Sequence, residues 1–223
     1  MASTRPTVRR WAPVVDAELE RAQIPLPREL ILALIDKESW GHVGLVNPKS
    51  GASGLMQVMP GTLDDYNKAR PDIPLSTLRS SSVTAAPAQI RVGVWVLGQF
   101  WRSAYRYLKS RMDQVPIDEL AHIADLFYVA GPGATRSRLD HLDVPTWAAV
   151  QARFPKWNAL PHTRGIFQIL GPIDWPVDAI ADWIGKSDTI LEDPDTGFVL
   201  AVAGILVTWW FLRKDTAKRK DQK

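Results

Sequence analysis

The sequence contains no cysteine, which excludes disulfides and thiolate metal sites as sources of stability. It also has few stretches of alternating polar and apolar residues, so a mainly α-helical fold is favoured over a sheet. Its histidines are dispersed and lack the spacing of metal ligands: His42, His122, His141 and His162. We therefore predict no metal and no cofactor. Residues 1–10 are charged but are not followed by an apolar run, so we expect no signal peptide.

The excess of positive charge is small and local. The net charge at pH 7 is +3. Residues 213–223 hold six basic and two acidic side chains, so they contribute +4 and leave the rest of the chain near −1. The basic character is thus mostly a property of the tail, and no nucleic-acid partner is needed to explain it.

A charge-free apolar run lies close to the C-terminus, at residues 197–212. Sixteen helical residues span about 24 Å, close to the ~30 Å hydrocarbon core of a bilayer. Trp209 and Trp210 end the run, and Arg213 and Lys214 follow it, as at the cytoplasmic end of a spanning helix. We predict one transmembrane helix over residues 197–213 and a basic tail over 214–223. The alternative is a buried core helix.

Proline and glycine positions divide the remaining chain. We expect an N-terminal basic arm or helix over residues 1–25, a helical catalytic domain over 26–158, and a linker with a juxtamembrane segment over 159–196. Within the last of these, residues 159–175 contain four prolines and glycines and are predicted to be a linker. Residues 176–185 have the spacing of an amphipathic helix that lies along a membrane surface.

One helix of the central domain carries a carboxylate on its apolar face. After Pro27, a stripe of apolar residues repeats at helical spacing: Leu30, Ile31, Leu34 and Ile35. Glu38 falls near the middle of that stripe, whereas Asp36 and Lys37 point elsewhere and are interpreted as solvated charges. Loss of hydration favours the protonated form of a carboxyl group, which a general acid needs. The alternative is that the stripe ends one turn early and Glu38 lies on the surface.

A loop with five glycines between residues 41 and 61 follows this helix. So many glycines exclude regular secondary structure. Met56, Gln57 and Met59 are predicted to line a groove, because thioethers adapt to apolar ligand faces and a carboxamide both donates and accepts hydrogen bonds. Core packing is the alternative for both methionines. Trp40 is assigned to packing, with stacking on a sugar face as its alternative.

These segments resemble the lytic transglycosylases of the goose-type lysozyme superfamily, the group that includes the soluble lytic transglycosylases. The shared elements are the Glu-Ser pair at 38–39, Gly-Ala-Ser-Gly-Leu-Met-Gln-Val-Met-Pro-Gly-Thr at 51–62, Ile-x-x-Gly at 90–93 and Phe-Tyr-Val-Ala-Gly-Pro-Gly at 127–133. The resemblance covers about residues 26–135. Two departures stand out: Val129 replaces the family's asparagine, and the family's loop serine has only Asn47 or Ser50 as a stand-in.

The resemblance implies a mainly α, lysozyme-like catalytic domain with a small irregular or β loop region. It implies cleavage of the β-1,4 bond between N-acetylmuramic acid and N-acetylglucosamine in peptidoglycan, with a 1,6-anhydro product. Glu38 would act first as acid and then as base, and Tyr128 would orient it by a hydrogen bond; the alternative is a core tyrosine bonded to backbone. The implied substrate-binding residues are Ser39, Asn47, Ser53, Met56, Gln57 and Met59. One carboxylate suffices because the substrate's own hydroxyl is the nucleophile.

The membrane prediction sets the expected location. Positive-inside bias places the catalytic domain on the periplasmic, wall-facing side. We favour a bacteriophage virion with an internal membrane over a bacterial envelope protein, with other virion or envelope proteins as partners. The competing functions are a hydrolytic lysozyme of the same fold and a non-catalytic structural or wall-binding membrane protein on a decayed scaffold. Val129 favours decay, whereas retention of Glu38, Gln57 and Tyr128 argues against it.

Overall fold

The computed structural model describes residues 4–71, 75 and 78–186, and this part of the chain is mainly α-helical, as predicted. Its helices, in chain order, are α1 Pro6–Arg9, α2 Ala12–Ala22, α3 Arg28–Ser39, α4 Pro60–Ala69, α5 Ala86–Lys109, α6 Ile117–Ala130, α7 Pro132–Leu139, α8 Trp147–Arg153, α9 Leu160–Leu170 and α10 Val177–Lys186. A short 3-10 turn, Val83–Ala85, leads into α5. Two isolated antiparallel bridges, Val46 with Ser53 and Ser53 with Val58, give the loop after α3 its small β character.

The longest helix, α5, forms the centre of the core. It packs against α2, α4 and α6, and fourteen of its 24 residues are buried. Gly93 lets the loop after α3 approach this helix, because a Cβ atom at that position would lie 2.3 Å from Sδ of Met56. The loop is therefore packed directly on α5 at this position.

The N-terminal segment belongs to this domain. Val8 of α1 and Val15 of α2 are fully buried, and the two helices pack on α3 and α5. The main-chain N–H of Arg5 donates to Oδ2 of Asp36 at 2.9 Å, and the Arg5 guanidinium also pairs with that carboxylate. The interpretation of Asp36 as a solvated charge is therefore wrong: its side chain is only 2% exposed.

The linker predicted for residues 159–175 is wrong over most of its length, because α9 occupies residues 160–170. Pro161 lies in the first helical turn, where the missing N–H has no partner to lose. Gly165 faces α3, and a Cβ atom there would come within 2.6 Å of Nζ of Lys37. Both residues that suggested a break are thus compatible with a helix packed closely on α3.

The amphipathic helix predicted at residues 176–185 exists as α10, but its apolar face covers the protein. Ile180 and Ile184 are 1% and 3% exposed. Trp183 lies beside Gly98 of α5, since a Cβ atom at Gly98 would be 3.4 Å from the indole ring. The prediction that this face rests on a membrane surface is therefore wrong.

The predicted transmembrane helix, residues 197–213, and the basic tail lie outside the described residues. Among the helices of the described ranges, none combines the length and the apolar character needed to cross a bilayer.

Candidate active site

Glu38 lies in the last turn of α3, beside the loop that follows the helix. Pro27 provides the extended residue before the helix, and Trp40 ends it with a left-handed backbone (φ 54°). The apolar stripe buries Ile31, Leu34 and Ile35 completely, and the Glu38 side chain at its end is 10% exposed. The alternative that places Glu38 on the surface is therefore wrong.

Two further ionisable side chains adjoin Glu38. Nε2 of His162, on α9, lies 3.1 Å from Oε1 of Glu38. Nδ1 of the same ring lies 3.4 Å from Oδ2 of Asp125, on α6. His162 and Asp125 are 6% and 3% exposed. The three side chains form a buried row, which we call the Glu–His–Asp row.

His162 carries a positive charge at neutral pH. Burial by itself lowers the pKa of His162, but the charge of Asp125 and the hydrogen bonds to Asp125 and Glu38 outweigh it and raise the pKa from 6.5 to about 9. An imidazolium has two N–H donors and no acceptor. His162 therefore donates from Nε2 to Glu38 and from Nδ1 to Asp125.

Tyr128 stands near this row but does not bond to Glu38. Its hydroxyl donates to the main-chain oxygen of Met56 at 2.6 Å. The predicted hydrogen bond from Tyr128 to Glu38 is therefore wrong, because the one hydroxyl proton is used by backbone. Burial raises the pKa of Tyr128 well above its usual value, and the negative charges of Glu38 and Asp125 raise it further. The hydroxyl consequently remains a neutral donor that fixes the loop beside Glu38.

Gln57 has an unusual backbone conformation in that loop. Its φ is +46°, a region that non-glycine residues seldom adopt, and its side chain is nearly buried. Nε2 donates to the main-chain oxygens of Leu45 (3.2 Å) and Gly54 (3.0 Å). Oε1 has no hydrogen-bond partner within the described residues. Strained backbone and unpaired buried acceptors both occur often at functional sites.

Gln89 of α5 holds the loop together and was not singled out from the sequence. It is fully buried, and its Oε1 accepts from the main-chain N–H of Leu55 at 3.0 Å. Its Nε2 contacts three main-chain oxygens, those of Val43 (3.0 Å), Leu78 (2.8 Å) and Ser80 (3.2 Å). Gly54 allows this contact, because its φ is +78° and a Cβ atom there would lie 2.5 Å from Cδ of Gln89.

The other predicted substrate-binding residues have structural contacts. Ser39 Oγ donates to the main-chain oxygen of Ile35, and Asn47 Oδ1 accepts from the N–H groups of Lys49 and Ser50. Ser53 forms both β-bridges. All three side chains are buried. They shape the loop that borders Glu38.

The two methionines occupy buried positions. Met56 is 0% exposed and packs against Gly93 of α5. The prediction that Met56 lines a groove is therefore wrong, and core packing is its role. Met59 retains 8% exposure, just before α4 begins.

Trp40 and Val129 are the two remaining residues that the sequence analysis discussed beside the acid and Tyr128. Trp40 is 46% exposed, so its assignment to core packing is wrong. Val129, where the resemblance leads one to expect asparagine, is partly buried and packs against the hydrophobic core.

Within the described part of the chain, no group of three histidine, aspartate or glutamate side chains is arranged to hold a metal ion.

His162 and Asp125 are the functional candidates that sequence reasoning missed. They lie on two different helices, 124 and 87 positions from Glu38 in the chain, and no local spacing connects them. Asp125 offered one weak signal, because it lies among the buried residues of α6, three positions before Tyr128.

The helical domain, its bridged loop and the recessed glutamate define a protein of the lysozyme-like class. A family model described as the transglycosylase SLT domain matches residues 20–141, more than half of the chain. The chain therefore belongs to this family. No curated protein matches it. The matched range contains Glu38, the loop and Tyr128, whereas α9 with His162 lies beyond it.

Proposed function

We propose that this protein is a peptidoglycan lytic transglycosylase in which Glu38 is the acid and the base. The observation that carries the proposal is the recessed position of the Glu38 carboxyl group at the end of α3, 10% exposed beside the motif loop. Membership of the transglycosylase family supports peptidoglycan as the substrate. The role of Glu38 itself rests on its geometry and on the match to the family's Glu-Ser pair.

The reaction needs one proton that leaves and returns. Glu38 gives its proton to the glycosidic oxygen as the bond from that oxygen to C1 of the muramoyl residue breaks. The C6 hydroxyl oxygen of the same sugar then bonds to C1, and its proton passes to the Glu38 carboxylate. The products are a 1,6-anhydro sugar and a free hydroxyl on the leaving sugar, so no water is consumed and Glu38 is again protonated.

The arrangement of carboxylates favours this route over hydrolysis. Glycosidases that use water or a covalent intermediate need two carboxyl groups on either side of the scissile bond. Asp125, the carboxylate nearest to Glu38 in the row, lies behind His162 and is 3% exposed. Because of this burial, Asp125 cannot reach a sugar. Asp65, on α4, pairs with Lys68 at 3.6 Å. A hydrolytic lysozyme is the second candidate function, and it would require Glu38 alone to activate water.

Substrate contacts are assigned to two residues that follow Glu38 in the chain, Trp40 and Gln57. We assign stacking on a sugar face to Trp40, because this residue is 46% exposed and lies two positions after the acid. Gln57, whose Oε1 lacks a donor within the described residues, is the candidate acceptor for a substrate N–H. Ser39, Asn47, Ser53 and Met59 act indirectly by shaping the loop, and Tyr128 acts through the main chain of Met56.

Replacement of Glu38 tests the proposal. Glu38→Gln keeps the shape of the side chain but removes its transferable proton, so clearing of a peptidoglycan zymogram is expected to disappear. Glu29→Gln is the matched control, because Glu29 lies on the same helix with 41% side-chain exposure. Equal clearing by wild type and Glu38→Gln would remove Glu38 from the mechanism. No clearing by any of the three proteins would favour the decayed scaffold.

We also propose that residues 197–213 anchor the protein in a membrane, with the catalytic domain on the wall-facing side. The charge-free run, the two tryptophans at its end and the basic residues after it support this. The full chain is expected to stay with membranes after alkaline carbonate extraction, whereas a chain that ends at residue 196 is expected to be released. Release of the full chain would contradict the anchor.

Delivery in a phage virion is the route we propose for bringing this domain to the wall. The anchor-like run at residues 197–213 supports it, because an internal virion membrane would hold such an anchor. The neighbouring genes test it. Capsid and packaging genes beside this one would support a virion protein, and secretion or conjugation genes would support a bacterial envelope protein instead.

A further inference from the structure

We propose that His162, oriented by Asp125, is a positioning residue that holds the Glu38 carboxyl group in place and stabilises the carboxylate formed when Glu38 gives up its proton. The inference rests on the proposed function of Glu38 and extends it to a helix outside the matched family range. It gives a function to His162 and Asp125, two buried charged groups that do not take part in the proton transfers of the proposed reaction.

His162 lies between Glu38 and Asp125 and contacts each of them with a different ring nitrogen. His162 contacts Glu38 through Nε2 at 3.1 Å and Asp125 through Nδ1 at 3.4 Å. Because the two ring nitrogens lie on opposite sides of the imidazole, the ring cannot turn without losing one of these partners. α9 packs on both α3 and α6, which carry the two carboxyl groups. The imidazole is therefore fixed by the packing of three helices.

α9 packs against α3 and α6. The titratable groups that these two helices place beside α9 are Lys37 and Glu38 of α3, and His122 and Asp125 of α6. Among the described residues, Glu38 and Asp125 are the ones that hydrogen-bond to the ring of His162. Lys37 lies over Gly165, and His122 stacks on Phe167 with ring centroids 3.9 Å apart, while burial lowers the pKa of His122 and keeps it neutral.

Asp125 needs the charge of His162. Its Oδ2 faces Nδ1 of His162, and its Oδ1 is buried without a hydrogen-bond partner in the described part of the chain. A buried carboxylate with no cation beside it strongly destabilises the folded protein. The imidazolium offsets that cost, and Asp125 in turn keeps the proton on His162.

The row has a consequence for acid catalysis. With Glu38 protonated, the row is neutral overall, and it carries one negative charge after the proton leaves. His162 keeps its proton throughout and donates a hydrogen bond that is stronger to the carboxylate than to the carboxylic acid.

Nuclear magnetic resonance of the full chain in detergent tests the charged state of His162 without any activity. Long-range ¹H–¹⁵N spectra of histidine-labelled protein are expected to show both ring nitrogens of His162 protonated at pH 7, with a titration midpoint near 9. His162→Gln assigns the signal. Glu38→Gln and Asp125→Asn are each expected to lower the midpoint. A neutral His162 at pH 7, or a midpoint that Glu38→Gln leaves unchanged, would overturn the proposal.

Kinetics test whether the row acts on Glu38. The double variant His162→Gln/Asp125→Asn removes both charges together and so avoids an unpaired buried carboxylate. We expect kcat on purified peptidoglycan to fall at least about tenfold with KM nearly unchanged, because the lost interaction acts in the transition state and not in substrate binding. His141→Gln, which replaces an exposed histidine, is the control and is expected to match wild type.

The two experiments separate the two claims. A folded double variant with wild-type kcat would overturn the positioning role while the proposed function stands. An inactive wild type would overturn the proposed function, and the spectra would still decide whether His162 and Glu38 share a hydrogen-bonded charge.

Discussion

Glu38 is enclosed by two regions that are built differently. On one side, the loop at residues 41–59 is held by neutral hydrogen bonds, chiefly those of Gln89 and Tyr128 to main-chain groups. On the other side, α9 presents the charged ring of His162. The loop therefore borders Glu38 with a frame of neutral groups, whereas α9 provides the side chain that bonds to the carboxyl group and the positive charge beside it.

This difference explains which parts of the site a family motif can reveal. The loop's glycines and its partner Gln89 form a compact unit whose spacing can be read along the chain. The contact between α3 and α9 depends on helix packing between residues more than 120 positions apart. A motif therefore specifies the frame around the acid, and it carries no information about the charge that α9 places beside that acid.

The loop side is tested most strongly by Gly54→Ala. The φ of +78° and a Cβ atom 2.5 Å from Cδ of Gln89 would strain the backbone and displace a side chain with four hydrogen bonds. We expect the free energy of unfolding to fall by about 4 kcal/mol in urea denaturation. Gly61→Ala is the control, since among the described residues no atom beyond its chain neighbours and the backbone of its own helix lies within 4 Å of the place its Cβ atom would take. Equal stability of the two variants would contradict a rigid Gly54–Gln89 contact.

The α9 side is tested by the pH dependence of stability. The pKa of His162 is raised from 6.5 to about 9, so its contribution is fully present below pH 6.5 and is lost as the pH rises through 9. Between these values, the free energy of unfolding of the wild type is expected to fall by up to about 3 kcal/mol more than that of the double variant His162→Gln/Asp125→Asn. If the free energies of unfolding of the two proteins changed in parallel with pH, His162 would not carry the charge assigned to it.

A smaller effect is expected from Tyr128→Phe, which distinguishes the two sides directly. The variant loses the hydrogen bond to the main chain of Met56, so the free energy of unfolding should fall by about 1–2 kcal/mol. Because the hydroxyl does not bond to Glu38, kcat of the folded variant should change by less than about fivefold. Thermal unfolding and kcat are measured beside Tyr105→Phe, a half-buried tyrosine of α5. A far larger loss of kcat would place Tyr128 in direct contact with the acid.

Much of the loop side could be predicted from the sequence, because its signals are local. Helical periodicity placed Glu38 on the apolar face of α3, and the density of glycines located the loop. The side-chain roles within the loop were harder to predict, since Met56 in the core and a methionine in a groove have the same local sequence. Only the close approach to Gly93 separates the two.

The α9 side could not be predicted, because Pro161 and Gly165 are usually helix breakers. Their positions make them compatible with a helix: Pro161 lies in the first turn, and Gly165 makes room for Lys37. With α9 interpreted as a linker, His162 had no helix to hold it near Glu38. Tertiary packing, which a single sequence does not reveal, brings the row together.

The central claim is that Glu38 is the one carboxyl group of its row that can reach the substrate, and that the substrate itself supplies the nucleophile. Mass spectrometry of fragments released from purified peptidoglycan tests this most directly. We predict 1,6-anhydro ends on the muramic acid products, about 18 Da lighter than hydrolysed ends because no water is added. Reducing muramic acid ends as the main product would contradict the account.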